Sequence, residues 1–488
     1  MPTMRIGDTP AYFAGLNPDA PALTDANGTI TRAEFDRRTN RLARAYQALG
    51  VVEGDYVTIG LPNTSEFMEA TMATWKLGAT PQPVSHKLPA RELQQIVEIA
   101  NSRIALGFAE NILPGRKTVP ANLDTSAYSD APFDVGFVKY LKAPTSGGST
   151  GRPKLIVSTA IGELDPAAGW RMLESEETHL VAAPFYHNAP FYFASMAMAL
   201  GSHLLIEPKF DAERTLALID KHKVKFAWLV PTMLQRILRL DEDVRKRYDL
   251  SSLRMVLCGG APLAQWIKDA WTDWIGPDHM WELYGGTEAT GTTLMNGHEA
   301  KERRGSVGKL QPGAEMKVVG EDGRDLPLGE TGEIYMRRTE GDPTYFYLGA
   351  VPKTLPGGWE SIGDVGYIDA DNYIYLADRL TDMIVSGGAN IYPAEIENAL
   401  QEHPHVQTSV IVGLPHPDLG HAAHAIIHAT QSVTQDELIA HLAERLVRYK
   451  IPRTFEFVNE PLRDDSGKVR RTQLRAERVA KMETSAAR

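Results

Sequence analysis

The chain has 488 residues, beyond the size at which one hydrophobic core usually keeps growing, so two or more domains are expected. With 43% apolar and 23% charged residues the composition is that of an ordinary globular protein, and a net charge of −11 (51 basic, 62 acidic) argues against nucleic acid as the main partner. Cys258 is the single cysteine, which excludes an intrachain disulfide and points to a reducing, cytoplasmic setting. The start MPTMRIGDTPAYF lacks the charged and apolar regions of a signal peptide, and no apolar run has the length of a membrane span, so a soluble chain is expected.

In chain order, Thr31-Arg32-Ala33-Glu34 is a capping box that predicts a helix start, and the periodic pattern runs to Leu49 and stops at Gly50. A short apolar strand over 56–61 and helices over 65–77 and 90–100 follow. Next comes TSGGSTGRPK, residues 145–154, in which two patterns compete. Gly147-Gly148-Ser149-Thr150-Gly151 fits the G-x-S-x-G nucleophile elbow of a serine hydrolase acting through Ser149, but an elbow needs a strand before it and a helix after it. Here FVKYL (137–141) and LIVST (155–159) both read as strands, so the stretch is predicted to be a long turn between them. A Walker A loop fails as well, because Pro153 and Leu155 flank Lys154 where a glycine and a hydroxyl are required. Two readings stay open: a mobile clamp for a polyphosphate, or a surface hairpin rich in Gly and Ser.

Further on, strands are predicted over 179–182, 226–230 and 255–257 and helices over 212–222, 232–240 and 264–275, an alternation that implies α/β layers with largely parallel sheets. The apolar stretch 191–206 reads as a buried helix followed by a strand. From about Ala314 the segments AEMKVV, GEIYMR, VGYID and NYIYLA predict a β-rich subdomain. A further compact unit starts at Met383, with a helix from Pro393, strands near 406–413 and 423–429, and a helix over 434–447. His416, His421 and His424 raise a zinc reading, but they sit in a Pro/Gly-rich loop without a ligand set, which favours a surface loop.

Five motifs in order, SGGSTGRPK, YGGTE (284–288), WESIGDVGYID (359–369), DRLTDMIVSGGANIYPAEIE (378–397) and SGKVRR (466–471), resemble those of the acyl-adenylate-forming superfamily. That superfamily comprises acyl-CoA synthetases, adenylation domains of peptide synthetases and luciferase, and the resemblance spans almost the whole chain. It implies a large N-terminal adenylation domain over 1–378, a hinge at 379–382 and a small mobile α+β C-terminal domain over 383–488. ATP, magnesium and coenzyme A are implied as cofactors. PFYHNAPFYF (184–193) together with SGGSTGRPK is most similar to ligases of bile-acid, steroid or other alicyclic carboxylates.

Carried over residue by residue, the resemblance implies that Ser149, Thr150, Gly151 and Lys154 hold the β- and γ-phosphates, with Gly147 standing where many members have a hydroxyl. Thr287 matches the contact to the α-phosphate, and Glu288, with Thr150, the magnesium site. Tyr284 and Gly285 would lie against adenine, opposite Gly260, Ala261 and Pro262, while Asp364 and Arg379 match the ribose contacts. Ile362 replaces a threonine usual before Gly363-Asp364. Lys468 matches the lysine used on the carboxylate and α-phosphate during adenylation, and Thr381 stands at the hinge position; rotation there would withdraw Lys468 and present residues 386–389 to the thiol acceptor. His187 is the aromatic-gate candidate, and Phe185, Asn188, Phe191, Trp228 and Gly286, with Met196 and Met198, are candidates for the acyl pocket. No acid stands at Asn188 or Ala189 to receive a substrate amine, so an acid without an amino group is favoured. Taken alone, Glu288 reads as a solvated acid, Tyr284 as core, Asp364 with Arg379 as a structural ion pair, and Lys468 as part of a basic tail. The readings carried forward are an acid-CoA ligase, an enzyme loading a carrier protein, a serine hydrolase on Ser149, and a nucleotide-binding protein without catalysis, as monomer or homodimer.

Overall fold

The computed structural model describes residues 3–110, 112–147, 153–464 and 467–486. Helix Arg32–Ala48 begins where its capping residue predicts: the Thr31 hydroxyl accepts the Glu34 amide at 3.2 Å. Phe35, Thr39, Ala43 and Tyr46 share its buried face, the stripe that a period of 3.6 residues requires.

Three larger sheets build the N-terminal part among the described residues, beside a short pairing of Met4–Arg5 with Glu163–Leu164. Thr80–Pro83, Tyr56–Ile59, Ile104–Leu106 and Lys117–Val119 form a parallel sheet in that spatial order. A second sheet runs in parallel through Pro21–Asp25, His203–Ile206, Thr178–Val181, Phe226–Leu229, Met255–Gly259 and Met280–Gly285. These strands are almost continuously apolar because both faces are covered. The same sheet then turns antiparallel through Thr292–Asn296, Ser306–Leu310, Tyr373–Arg379, Asp364–Ile368 and Gly332–Arg338. The predicted β-rich segment is therefore a continuation of the large sheet, joined edge to edge.

In the third sheet Thr145–Gly147 pairs with Pro153–Ser158, which pairs with Tyr345–Leu348. The strand before the glycine-rich turn is thus Thr145–Gly147 and not 137–141; Val138 and Leu141 bury their side chains in the core instead of joining a ladder.

The C-terminal part is α+β with a separate core around Ile396, Leu400, Ile411, Ile427 and Leu438. Val406–His416 and Gly420–Ala429 form a long hairpin, and the outer edge of Gly420–Ala429 is extended by Ile384–Ser386 near its start and by parallel Thr454–Val458 along the rest. Helix Gln435–Ala443 carries the full capping box of Thr434 and Glu437 but ends before 447, in a turn over residues 444–446. No helix among the described residues is long and apolar enough to cross a membrane.

Val181, Leu229, Gly259 and Gly285 all end strands at one edge of the large sheet, the edge where ligands bind in open α/β sheets. At the seam between the parallel and antiparallel portions, Gly308 has φ +92°, and a Cβ there would sit 2.2 Å from the Leu294 carbonyl oxygen. Gly308→Ala is expected to lower the unfolding free energy by about 1–3 kcal/mol in urea titration. An unchanged midpoint would show that this seam yields freely.

Candidate active site

One cleft of about 2520 Å³ gathers the segments that follow those strands, together with the small third sheet, the strands bearing Asp364 and Arg379, and the turn bearing Lys468. Ser149, Thr150 and Gly151 lie outside the described residues; the glycine-rich segment is flanked by Thr145–Gly147 and Pro153–Ser158, antiparallel strands paired with each other. A helix does not follow it, so the scaffold of a nucleophile elbow is missing. Lys154, on the outgoing strand, places its ammonium 3.8 Å from Glu288 Oε1 and 3.8 Å over the Tyr347 ring. Burial pushes its pKa down, and the charge of Glu288 opposes that shift.

Glu288 stands just past the end of Met280–Gly285. Its Oε1 accepts the Tyr347 hydroxyl at 2.5 Å, and its backbone carbonyl accepts the Thr344 hydroxyl at 2.6 Å. A Cβ on Gly286 would come within 2.7 Å of Glu288 Oε2. The missing side chain thus leaves that oxygen room toward the cleft, and a hard dication fits an oxygen donor so placed. Thr287 lines the cleft beside it.

Elsewhere in the cleft, Tyr284 donates to Asp364 Oδ2 at 2.8 Å, and Arg379 Nε lies 3.4 Å from Asp364 Oδ1. Asp364 and Arg379 are direct partners across antiparallel strands, so the pairing is set by register. Burial raises the Asp364 pKa, and Arg379 opposes it. Gly260 has φ +83° with open space where a Cβ would be, and Ala261, Pro262, Gly285 and Gly286 continue this wall of the cleft. Ile362 packs with Tyr284 against Ile334 and Met336, so at this position the chain has an apolar contact in place of a hydroxyl.

The Lys468 turn docks onto the large N-terminal part. A Cβ on Gly467, whose φ is +79°, would meet the Thr232 hydroxyl at 3.3 Å, and Asp464 Oδ2 lies 3.8 Å from His187 Nε2. The turn holds itself together: the Lys468 amide donates to Asp464 Oδ1 at 2.9 Å and the Gly467 amide to the Asp464 carbonyl at 2.8 Å. Protein bulk around the Lys468 amine pushes its pKa down, with Asp464 opposing and Arg379 adding to the shift. His187 is pushed down to about 3, first by burial and then by the charge of Lys468, so its ring is neutral near pH 7. Thr381 sits in the exposed turn after Tyr373–Arg379, at the cleft margin.

The acyl-pocket expectation is corrected in part. Phe185 and Phe191 do not line the cleft; both are fully buried against Phe67, at ring separations of 5.1 and 6.2 Å. Met196 and Met198 are core as well. The reason is phase: helix Asn188–Ala199 turns Phe191 inward, while Asn188, Ala189, Tyr192 and Phe193 face the cleft. Trp228 does line it, stacked on Phe193 at 5.0 Å. Trp170 also lines it and donates to the Tyr192 hydroxyl at 2.6 Å.

Lys142 is a residue the sequence reading missed. It is 6% exposed, lines the cleft, donates to Asn188 Oδ1 and lies 5.4 Å from the Tyr192 ring centre. Nothing in KYLKAP separates it from a surface lysine; its burial comes from elements distant in sequence. Burial pushes its pKa down to about 7, against the pull of Glu288.

The surface-loop expectation for His416, His421 and His424 is corrected: they lie on the strands Val406–His416 and Gly420–Ala429, apart from the cleft, with His424 buried. His424 Nδ1 shares a hydrogen bond with the Thr454 hydroxyl at 2.7 Å, and its Nε2 lies 3.5 Å from Glu456.

Residues 12–346 match the AMP-binding enzyme family, and residues 395–468 match the AMP-binding enzyme C-terminal domain. A feruloyl-CoA synthase of Amycolatopsis sp is 32% identical, over 97% of this chain and 99% of that protein. A fatty acid–[acyl-carrier-protein] ligase of Streptomyces coeruleorubidus is 28% identical, over 96% of this chain and 95% of that protein. Among solved structures, the o-succinylbenzoate CoA synthetase of Bacillus subtilis, in complex with its acyl-adenylate intermediate, superposes with a TM-score of 0.80 at 26% identity, covering 97% of this chain and 98% of that one.

The lowered pKa of Lys142 carries a stability consequence. Between about pH 7 and the ordinary lysine value of 10.5 the unfolded chain binds the proton that the folded chain has released, so this group's contribution makes stability rise with pH over that window. Lys142→Met is therefore expected to raise Tm most at pH 7 and below, with the difference from the parent shrinking toward pH 10. A difference that stays flat across this range would contradict the burial argument.

Proposed function

The chain belongs to the AMP-binding enzyme family and is an AMP-forming acid–thiol ligase; from that premise we propose that its acid carries no amino group, is bulky and apolar or alicyclic, and is passed to coenzyme A. A carboxylate cannot expel oxide under thiol attack, so a carboxyl oxygen first attacks the α-phosphorus of ATP and pyrophosphate leaves. The CoA sulfur then attacks the acyl carbon, AMP departs, and the thiol proton goes to solvent.

The observation that carries the reading is convergence. Lys154 and Glu288 at one end of the cleft, Asp364, Tyr284 and Arg379 at the other, and the docked Lys468 turn beside His187 all face a single space. In the proposed roles, Ser149, Thr150, Gly151 and Lys154 bind the β- and γ-phosphates. Asp364 accepts from the ribose hydroxyls, and Tyr284 packs on adenine opposite residues 260–262. Lys468 balances the charge that builds between carboxylate and α-phosphate, where preorganised donors contribute most to rate. Neutral His187 borders the carboxylate without repelling the Lys468 ammonium. Thr287 would contact the α-phosphate, and Glu288, with Thr150, would hold magnesium, which when bound neutralises phosphate charge. Trp228, Phe193, Tyr192 and Asn188 would form the acyl wall.

We place the domain boundary at the turn 379–382, with Thr381 as pivot, so that rotation of residues 383–488 withdraws Lys468 for the second half-reaction. The docked Lys468 turn supports assigning the present arrangement to the first half-reaction. One relative's carrier-protein acceptor keeps that alternative in view, and dependence of thioester formation on the acceptor supplied separates the two.

A panel of carboxylic acids scored for ATP–pyrophosphate exchange, with and without CoA, tests the activity and the acid class together. Exchange with amino acids only would reverse the substrate reading. Lys468→Ala is expected to slow adenylate formation by about 10²–10³-fold while thioester formation from supplied acyl-AMP proceeds near the parent rate; equal loss in both halves would remove the assigned role. Asp364→Asn is expected to raise KM for ATP by roughly 10–100-fold, the worth of charge-assisted hydrogen bonds, with KM for the acid little changed.

A further inference from the structure

The lysine turn and the hinge turn meet at one buried carboxylate that the roles above leave unused. Glu397, on helix Pro393–Gln401, is 3% exposed. Its Oε1 accepts the Ile411 amide at 2.9 Å and Arg471 Nη1 at 2.6 Å, and its Oε2 accepts Arg463 Nη2 at 2.7 Å. Each arginine then reaches onward. Arg463 Nη1 donates to the Gly467 carbonyl at 3.1 Å, one residue before Lys468. Arg471 Nε lies 3.2 Å from Asp382 Oδ2, one residue after Thr381, and Arg471 also donates to the Ile411 carbonyl. The two guanidiniums hold Glu397 ionised below the usual carboxylate range in spite of its burial.

We propose that Glu397 is a positioning residue: through Arg463 and Arg471 it fixes the Lys468 turn to the hinge turn, so that rotation at 379–382 swings Lys468 into and out of the cleft as part of a rigid body. The inference rests on the two-step ligase reading. Its physical basis is that a planar guanidinium forked between two acceptors fixes orientation as well as distance, which a single-point contact does not. A catalytic ammonium displaced by about 1 Å forfeits on the order of 10²-fold in rate. Lys468 acts only in the first half-reaction, so its positioning matters only there.

The test separates the two half-reactions in the full-length chain. In Glu397→Gln one amide nitrogen faces an arginine, and kcat for adenylate formation is expected to fall about 10–100-fold with KM for ATP and acid little changed. Thioester formation from supplied acyl-AMP should stay within a factor of about three of the parent, inside the context-dependence of such contacts. Arg463→Met, which cuts only the Gly467 tether, should show the same split even if Glu397→Gln fails to fold, and Arg463→Lys should recover part of the loss. A parallel fall of both half-reactions, or unchanged adenylation, overturns the proposal while leaving the ligase reading intact. A parent chain that forms no adenylate from any acid overturns both.

Discussion

A carboxylate removed from water has to be answered by a cation or a set of donors, and this requirement organises the molecule around its cleft. Glu288, Asp364 and Glu397 are each under a tenth exposed, and each is met by fixed partners: Lys154 and Tyr347, Arg379 and Tyr284, and the Arg463–Arg471 pair. The partners come from different strands and from both parts of the chain. Satisfying Glu288 and Asp364 ties the third sheet and the far end of the large sheet to the cleft, whereas the Glu397 pairs lie within the small C-terminal part and tie its own elements together.

The three carboxylates differ in what remains available. Glu397 has both oxygens engaged by three donors and is depressed in pKa, so it is closed to ligands and suited to holding structure. Asp364 is raised by burial and faces the cleft with the Tyr284 hydroxyl and an exposed arginine beside it, an arrangement with capacity left for hydroxyl donors. Glu288 keeps Oε2 over the gap at Gly286. A gradient from saturated to available acceptors thus runs from the small C-terminal part toward the reaction space. The lysines follow related logic: Lys154, Lys142 and Lys468 all have pKa values pushed down by burial, and a carboxylate opposes the shift in each case.

The parallel strands could be read in the sequence because burial on both faces leaves an unmistakable apolar run; Phe226–Leu229 and Met255–Gly259 are examples. The helix at Thr31 was readable because a cap is a local hydrogen bond between residues three apart. FVKYL misled because β-branched and aromatic residues serve equally for a strand or for core contact, and only the neighbours at 160–162 decide which. Phe191 misled for a related reason: an aromatic in a motif carries no mark of which way its helix is turned; Phe185, in the turn before that helix, likewise carries no mark of its burial.

The order of the five motifs, the turn between two strands at 145–158, and the residue types at Lys154, Glu288, Asp364 and Lys468 were settled by the sequence itself, because each depends on short-range spacing or on a side chain's own chemistry. The tertiary structure alone decided that Lys142 is a cleft residue, that the β-rich segment extends the main sheet, and that Arg463 and Arg471 link Glu397 to Gly467 and Asp382. Those facts depend on which distant elements pack together and how much water they exclude, and burial of a charge is a property of the assembled fold that no local pattern encodes.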